Sequence, residues 1–455
     1  MKAVTLPFAG ESVQVQLPDR THVVKTSQAN AGIAPAADEA AAVRTALEKP
    51  LGMLRIGELV RPSSRVLIAF DDPTVPSYGP IRRLAVEGVL AELAAGGVAE
   101  EQITLVCANA LHRKWTHEEL AAGLGKEIVR RFAKRLKCHD AEDASQLEDL
   151  GKTPEGYDVE VHRLVAESDL TVYVNFGYHL GFGGGWKSVC VGLSTWKSIR
   201  WTHTPDGMSM SLHKNRMHAV FDCMGRHLEE RLGKRIFKIE TVLANSHQAG
   251  RVFAGGVDET RQAAIGVLGA VHQPRRAAGE PADVVVYGVP AWSPYAAFAS
   301  MNPILTLISS GLGYLGGYIE ALGKPGCSVI LATPCPNEWD TEHHPAYREV
   351  WDRVLSESRD PYVISERWID EFATRADYIE RYRNAVAFHP VHAILATHPL
   401  KRLRHAGRVF VAGAKDPSLP RHVGFEPTRT VEEAVADAEA IHGRDCSVAC
   451  IVAAA

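Results

Sequence analysis

The chain has 455 residues, with 50 Lys and Arg against 54 Asp and Glu, a formal charge of −4. That balance lacks the basic excess of a nucleic-acid binder. A content of 46% hydrophobic and 23% charged residues excludes a disordered chain. The length suits two or three domains and needs neither disulfide nor metal to bury a core. The eight cysteines form no Cys-x-x-Cys pair and read as small core residues in a reducing, cytoplasmic compartment. No apolar run approaches the ~20 residues of a membrane helix, and the N-terminal stretch lacks the apolar region of a signal peptide, so no membrane role is expected. Histidine is the abundant chemistry-bearing residue, at 20.

In chain order, residues 13–18 alternate like a strand, and 65–70, 102–108 and 170–175 read as near-continuously apolar, buried strands. Helical patterns lie between them, near 80–96, 117–137 and 143–150. The polar stretch 272–283 reads as a linker. A second series follows, with strands at 283–289, 327–333, 408–414 and 447–453 and helices near 303–323, 343–357, 390–404 and 430–442. Strands alternating with helices predict two α/β domains with mainly parallel sheets, divided as 1–273 and 274–455, with an active site in the cleft between them.

In open α/β sheets ligands bind beyond the carboxyl ends of the strands. Three polar clusters fall there in the first series. DDPT (71–74) follows the strand 65–70, and ALHRKWTHEE (110–119) follows 102–108. GYHLGFGGGWKS (177–188) follows 170–175. Thr116 and Glu119 have capping-box spacing, which starts a helix just after His112 and leaves that histidine in the strand-to-helix turn. His112 there can reach a ligand or simply bond the backbone. Gly183, Gly184 and Gly185 precede Lys187 and can bring backbone amides close to a phosphate, although a flexible loop with a solvated lysine has the same composition. The pattern is neither a P-loop, because Trp186 stands before the Lys, nor the Gly-x-Gly-x-x-Gly dinucleotide fingerprint. His203 follows Lys187 by sixteen residues, in a loop or the core.

Together, DDPTVP (71–76), ALHR (110–113), CHDAED (138–143) and GFGGGWKS (181–188) resemble the nickel-pincer-nucleotide lactate racemase family and its epimerase homologues. The resemblance extends in order over most of the chain. It implies that Lys187 carries a pyridinium mononucleotide through a thioamide, that this nickel-pincer nucleotide holds nickel through two sulfurs and a ring carbon, and that His203 supplies a protein ligand to the nickel. It assigns His112 as a catalytic base, with Asp72, Thr74 and the glycine-loop amides holding the nucleotide. It also implies cofactor-biosynthesis proteins as partners. The family's second catalytic histidine falls on Gly177. His179 is the nearest replacement, and a two-residue shift keeps the same face of an extended segment.

Two further departures bear on the substrate. Val75 replaces an arginine of the family motif, and Ala296 and Ala299 replace polar groups of the second domain. Groups that would grip a small carboxylate are therefore absent, which favours a 2-hydroxy acid larger than lactate, such as a sugar acid. Trp292, Tyr295, Trp186 and Arg200 are candidates for the altered pocket. The reaction implied is inversion of the α-carbon by reversible hydride transfer. Alternative readings are lactate racemase proper, a nicotinamide-dependent dehydrogenase, and a non-catalytic small-molecule binder.

Overall fold

A computed structural model of the chain describes residues 1–26, 32–177, 183–207, 215–271, 280–314 and 316–453. Its strands are β1 (Lys2–Phe8), β2 (Glu11–Leu17), β3 (His22–Thr26), β4 (Val66–Asp71), β5 (Ile103–Ala108), β6 (Leu136–Cys138), β7 (Leu147–Lys152) and β8 (Asp158–His162). They continue with β9 (Leu170–Gly177), β10 (Phe237–Asn245), β11 (Gln248–Gly256), β12 (Ala282–Gly288), β13 (Gly323–Ala332), β14 (Arg408–Ala412), β15 (Glu426–Thr428) and β16 (Val448–Ala453). The chain divides into two compact units. One holds residues 29–272 and 379–387, and the other holds 1–28, 273–378 and 388–455.

The first unit is built on a six-stranded sheet in the order β11-β10-β9-β4-β5-β6. All its pairings are parallel except the β10–β11 hairpin. Every residue of β4 and β9 is buried, as befits central parallel strands covered on both faces. The chain passes from β4 to β5 on one side and later returns to place β9 on the other. The strand order therefore reverses at β4, and it is at such a reversal that open α/β sheets form a ligand crevice beyond the carboxyl ends of the strands.

The second unit carries an all-parallel sheet, β15-β14-β13-β12-β16-β3. Side chains alternate between its faces with period two. Val285, Tyr287, Val329, Leu331, Val409 and Val411 enter one core. Val284, Val286, Ile330, Ala332, Phe410 and Ala412 enter the other, which the β1–β2 hairpin covers with Val4, Leu6, Val15 and Leu17.

That packing revises the sequence-based division. The first 28 residues belong with the second series, because β3 pairs in parallel with β16 and the hairpin roofs the same sheet. Residues 379–387 go the other way. Tyr382 is fully buried in the first unit and donates its hydroxyl to the Ala110 carbonyl. The helix expected at 143–150 is instead a single 3-10 turn leading into β7, which pairs with β8. The helical pattern at 117–137 breaks at Gly125, whose φ of +83° separates the helices His117–Leu124 and Lys126–Arg131. Most of the expected linker, 272–279, lies outside the described residues.

Three histidines are buried in a neutral state. Loss of hydration lowers His139 to about 4, His162 to about 3 and His398 to about 3. Each takes up its proton in the unfolded chain near the ordinary value of ~6.5. Their stabilising contribution is complete above that value and declines as pH falls from there toward 4. The melting temperature should therefore drop between pH 7 and 5. His162→Asn, which cannot ionise, should show a shallower decline in pH-resolved thermal melts, and an unchanged slope would refute this account.

Candidate active site

Two consecutive carboxylates at the end of β4 organise the crevice. Asp71 points into β9: it accepts from Tyr173 Oη at 3.0 Å, Asn175 Nδ2 at 2.6 Å and the Phe176 amide at 2.9 Å. Burial pushes its carboxyl up, against these donors and the Arg82 charge. Asp72 points instead toward the loop after β5. Its Oδ2 lies 2.9 Å from His112 Nδ1 and accepts from Trp115 Nε1 at 3.3 Å. Its Oδ1 accepts from the Thr74 hydroxyl at 2.5 Å. Burial raises the Asp72 carboxyl, but His112, Thr74 and Arg82 outweigh it and hold the group below its ordinary value. Asp72 is therefore a buried carboxylate anion on the imidazole.

His112 stands where capping spacing placed it. Thr116 caps the helix His117–Leu124, accepting from the Glu119 amide at 3.2 Å, and Glu119 returns to the Thr116 amide at 2.9 Å. Arg113 braces this turn with a bidentate pair to Glu119, its guanidinium 3.9 Å from the Trp115 ring centroid. The His112 side chain is 23% exposed, against 4% for Asp72. Nδ1 directed at a carboxylate is the arrangement that orients an imidazole as a general base. Asp140, from the CHDAED segment, receives Lys114 Nζ at 2.6 Å and so anchors the same loop. His139, beside it, faces the Ser194 carbonyl through Nε2 at 2.9 Å.

The glycine loop is gripped from below by charges on β10. Lys238 and Glu240, two apart on a strand, share a face and pair at 2.8 Å with no exposure. Lys238 Nζ donates to the Gly185 carbonyl at 2.6 Å and to Ser188 Oγ at 2.8 Å, while the Gly185 amide donates to Glu240 at 3.1 Å. Arg261 Nη1 donates to the Gly183 carbonyl at 2.7 Å. Gly185 has a φ of +55°, and a Cβ there would lie 3.2 Å from the Arg261 side chain, so glycine is favoured. Lys187 opens the helix Lys187–Gly192 directly after this turn. Its side chain is half-buried, and loss of hydration at the ammonium lowers it to about 7 despite the opposing charges of Asp71 and Asp72. The amine lies within electrostatic reach of Asp71 and of Asp72, the carboxylate that holds His112.

Thus Asp72, Thr74 and His112 form one hydrogen-bonded group, and Lys187 senses Asp72 together with Asp71. His203 follows on the turn after the short helix Trp196–Ile199, its Nδ1 3.0 Å from Thr202 Oγ1. Arg200, exposed, lies 5.7 Å over the Trp196 ring. His179 lies outside the described residues. Trp186 is not a pocket aromatic. It is 1% exposed, donates to Asp258 at 2.8 Å and fills space over Gly225, where a Cβ would come within 1.9 Å of its ring. In the second unit Trp292 and Tyr295 lie beyond the carboxyl end of β12, at that sheet's own reversal between β12 and β16. Trp292 is 39% exposed, and Tyr295 packs its ring 4.3 Å from that of His392. Phe298, in the same loop, is exposed with a φ of +57°, an unusual conformation for a side chain of its size.

Asp71, Arg82, Trp115, Lys238, Glu240 and Arg261 were not singled out from the sequence. Arg82 is buried and directs Nη1 to the Asp71 carbonyl, with its guanidinium 4.8 Å from the Phe176 ring centroid. A charge on a helix or strand reads as solvated surface unless the covering layer is known. Among the described residues, no group of three or more His, Cys, Asp or Glu could hold a metal ion.

A family model described as the lactate racemase N-terminal domain matches residues 8–215. A lactate racemase from Lactiplantibacillus plantarum is 26% identical over 57% of this chain, which spans 60% of that protein's length. A lactate racemase from Thermoanaerobacterium thermosaccharolyticum is 23% identical over 98% of this chain and 97% of that protein. The fold is that of a lactate racemase apoprotein structure from the latter organism, with a TM-score of 0.68, 19% identity and full coverage of both chains. A Thermotoga maritima protein has a looser likeness, with a TM-score of 0.53, 15% identity and coverage of 90% and 94%.

The depressed Lys187 amine is directly measurable. Brief labelling with an acylating reagent across a pH series, read by peptide mass spectrometry, should show Lys187 modification rising through about pH 7. Exposed lysines should follow near their ordinary value of ~10.4. Coincident profiles would show that burial does not control this amine.

Proposed function

Starting from a chain related to the lactate racemases, we propose that the protein is a racemase or epimerase of a 2-hydroxy acid. The observation that carries this reading is the buried Asp72 carboxylate on His112 Nδ1, with Lys187, lowered to about 7, within reach of the charge of Asp72 and its neighbour Asp71. That combination supplies an oriented base and a nucleophilic amine beside the same strand end.

The chemistry sets the demand. An α-hydrogen beside an ionised carboxylate is poorly acidic, so inversion by proton abstraction is difficult. Removing it with its electron pair, while the hydroxyl proton leaves to a base, gives a planar centre open to return from either face. The donor set fits a nickel-pincer nucleotide: Lys187 would hold it through a thioamide and His203 would give the nickel one imidazole, the remaining donors coming from the nucleotide. When bound, that group supplies the two-electron acceptor for the α-hydrogen.

The chain's own residues do the rest. His112 Nε2 takes the hydroxyl proton, and Asp72, anionic and buried, stabilises the imidazolium that results. Trp115 and Thr74 keep that carboxylate oriented. A second base is needed for the opposite epimer, and His179 is assigned to it. Gly185 commits its amide to Glu240, so the phosphate of a nucleotide falls to the amides of Gly183 and Gly184. Loading would require the proteins that make the cofactor, in the cytoplasm.

The substrate is a 2-hydroxy acid larger than lactate, such as an aldonate. Val75 offers no charge, and the loop bearing Ala296 and Ala299 presents the exposed aromatics Trp292 and Phe298 beside Tyr295. Arg200, exposed on its turn, is the candidate cation for the distal end.

Co-expression with the cofactor-synthesis enzymes should give an intact-mass adduct containing one nickel, absent in Lys187→Ala. Loaded wild type lacking both adduct and nickel would overturn the proposal. Chiral analysis across 2-hydroxy acids should show faster inversion of aldonates than of lactate. In the loaded protein His112→Ala should lower turnover ~10²–10⁴-fold while the adduct persists; retained turnover would remove His112 from the chemistry.

A further inference from the structure

A fully buried Lys–Glu pair is weak as a stabilising device, because desolvating two charges offsets their attraction. Lys238 and Glu240 form such a pair, both with no exposure. The second carboxylate oxygen, Glu240 Oε1, has no hydrogen-bond partner among the described residues, a further cost. Burial lowers the Lys238 ammonium, and Glu240 opposes that shift. Fold stability alone would be served as well by two apolar side chains on β10.

The geometry shows what the charges accomplish. The Lys238 ammonium has three N–H donors, and Glu240, the Gly185 carbonyl and Ser188 Oγ are all within 2.6–2.8 Å of it. Glu240 Oε2 also accepts from the Gly185 amide at 3.1 Å. Gly185 is therefore held by both its N–H and its C=O, in a left-handed conformation. Ser188 is fixed on the other side of Lys187. The pair clamps the residues at i−2 and i+1 of Lys187 to β10, while Arg261 holds Gly183.

We infer that Lys238 and Glu240 are positioning residues: they fix the turn that presents the Lys187 amine for its covalent loading. This rests on the proposed role of Lys187 as the attachment point. Neither residue is asked to touch substrate, and the pair acts through the loop alone.

The test is made first on the unloaded chain. Lys238→Met/Glu240→Leu replaces the pair by apolar groups of similar volume, which a core tolerates. With the clamp removed, the turn no longer holds the Lys187 amine in the setting that lowers its ammonium. Acylation of Lys187 at pH 7, relative to exposed lysines of the same sample, should fall at least tenfold with the circular dichroism unchanged. The adduct formed on co-expression should fall in parallel. A folded double variant with wild-type Lys187 labelling would overturn the inference. Glu240→Gln, which keeps shape and acceptor but removes the charge, serves if the double variant does not fold, and should also lower labelling. In the wild type, hydrogen exchange at Gly185 should be as slow as in β10, and exchange at the rate of an open loop would equally overturn the inference. If wild-type Lys187 labels no faster at pH 7 than exposed lysines, the assignment of Lys187 fails, independently of the clamp.

Discussion

The first unit depends on one constraint at the end of β4, where Asp71 and Asp72 face opposite ways because successive strand residues alternate in direction. Asp71 ties β4 to β9 through Tyr173, Asn175 and the Phe176 amide. Asp72 ties it to the loop after β5 through His112 and Trp115. Two buried carboxylates in sequence are expensive to desolvate, and each is satisfied by several donors. The same pair sets the charge environment of Lys187. Strand pairing, histidine orientation and lysine basicity thus share one anchor.

Around that anchor the crevice is stiffened from outside. Arg82 holds the Asp71 carbonyl, Arg113 with Glu119 holds the His112 turn, and the Lys238–Glu240 pair with Arg261 holds the glycine loop. Loop residues alone would seldom keep an imidazole and an amine in fixed relation. Here each loop begins at a buried parallel strand and is fastened again within a few residues. Preorganisation of this kind lets a bound group meet groups already oriented and desolvated.

Much of this was legible in the chain. The apolar runs of β4, β5 and β9, the polar clusters after them, the capping box at Thr116 and Glu119, and the glycine run before Lys187 all follow from local pattern. Trp186 shows the limit: an aromatic next to the key lysine looks like a pocket wall, yet it fills space over Gly225. Lys238 and Glu240 show it more sharply. Alternating with Phe237 and Ile239, they read as the wet face of an edge strand, but β10 is interior to the sheet and both faces are covered.

The sequence by itself determined the α/β alternation, the strand ends followed by polar clusters, and the histidine and lysine placed there, because periodicity and turn chemistry are local properties. Tertiary structure alone decided that the first 28 residues complete the second sheet, since β3 finds its partner more than 400 residues away in β16. It also decided which charges are buried. A carboxylate or ammonium changes its proton affinity only when other segments remove its water, and those segments are distant in the chain.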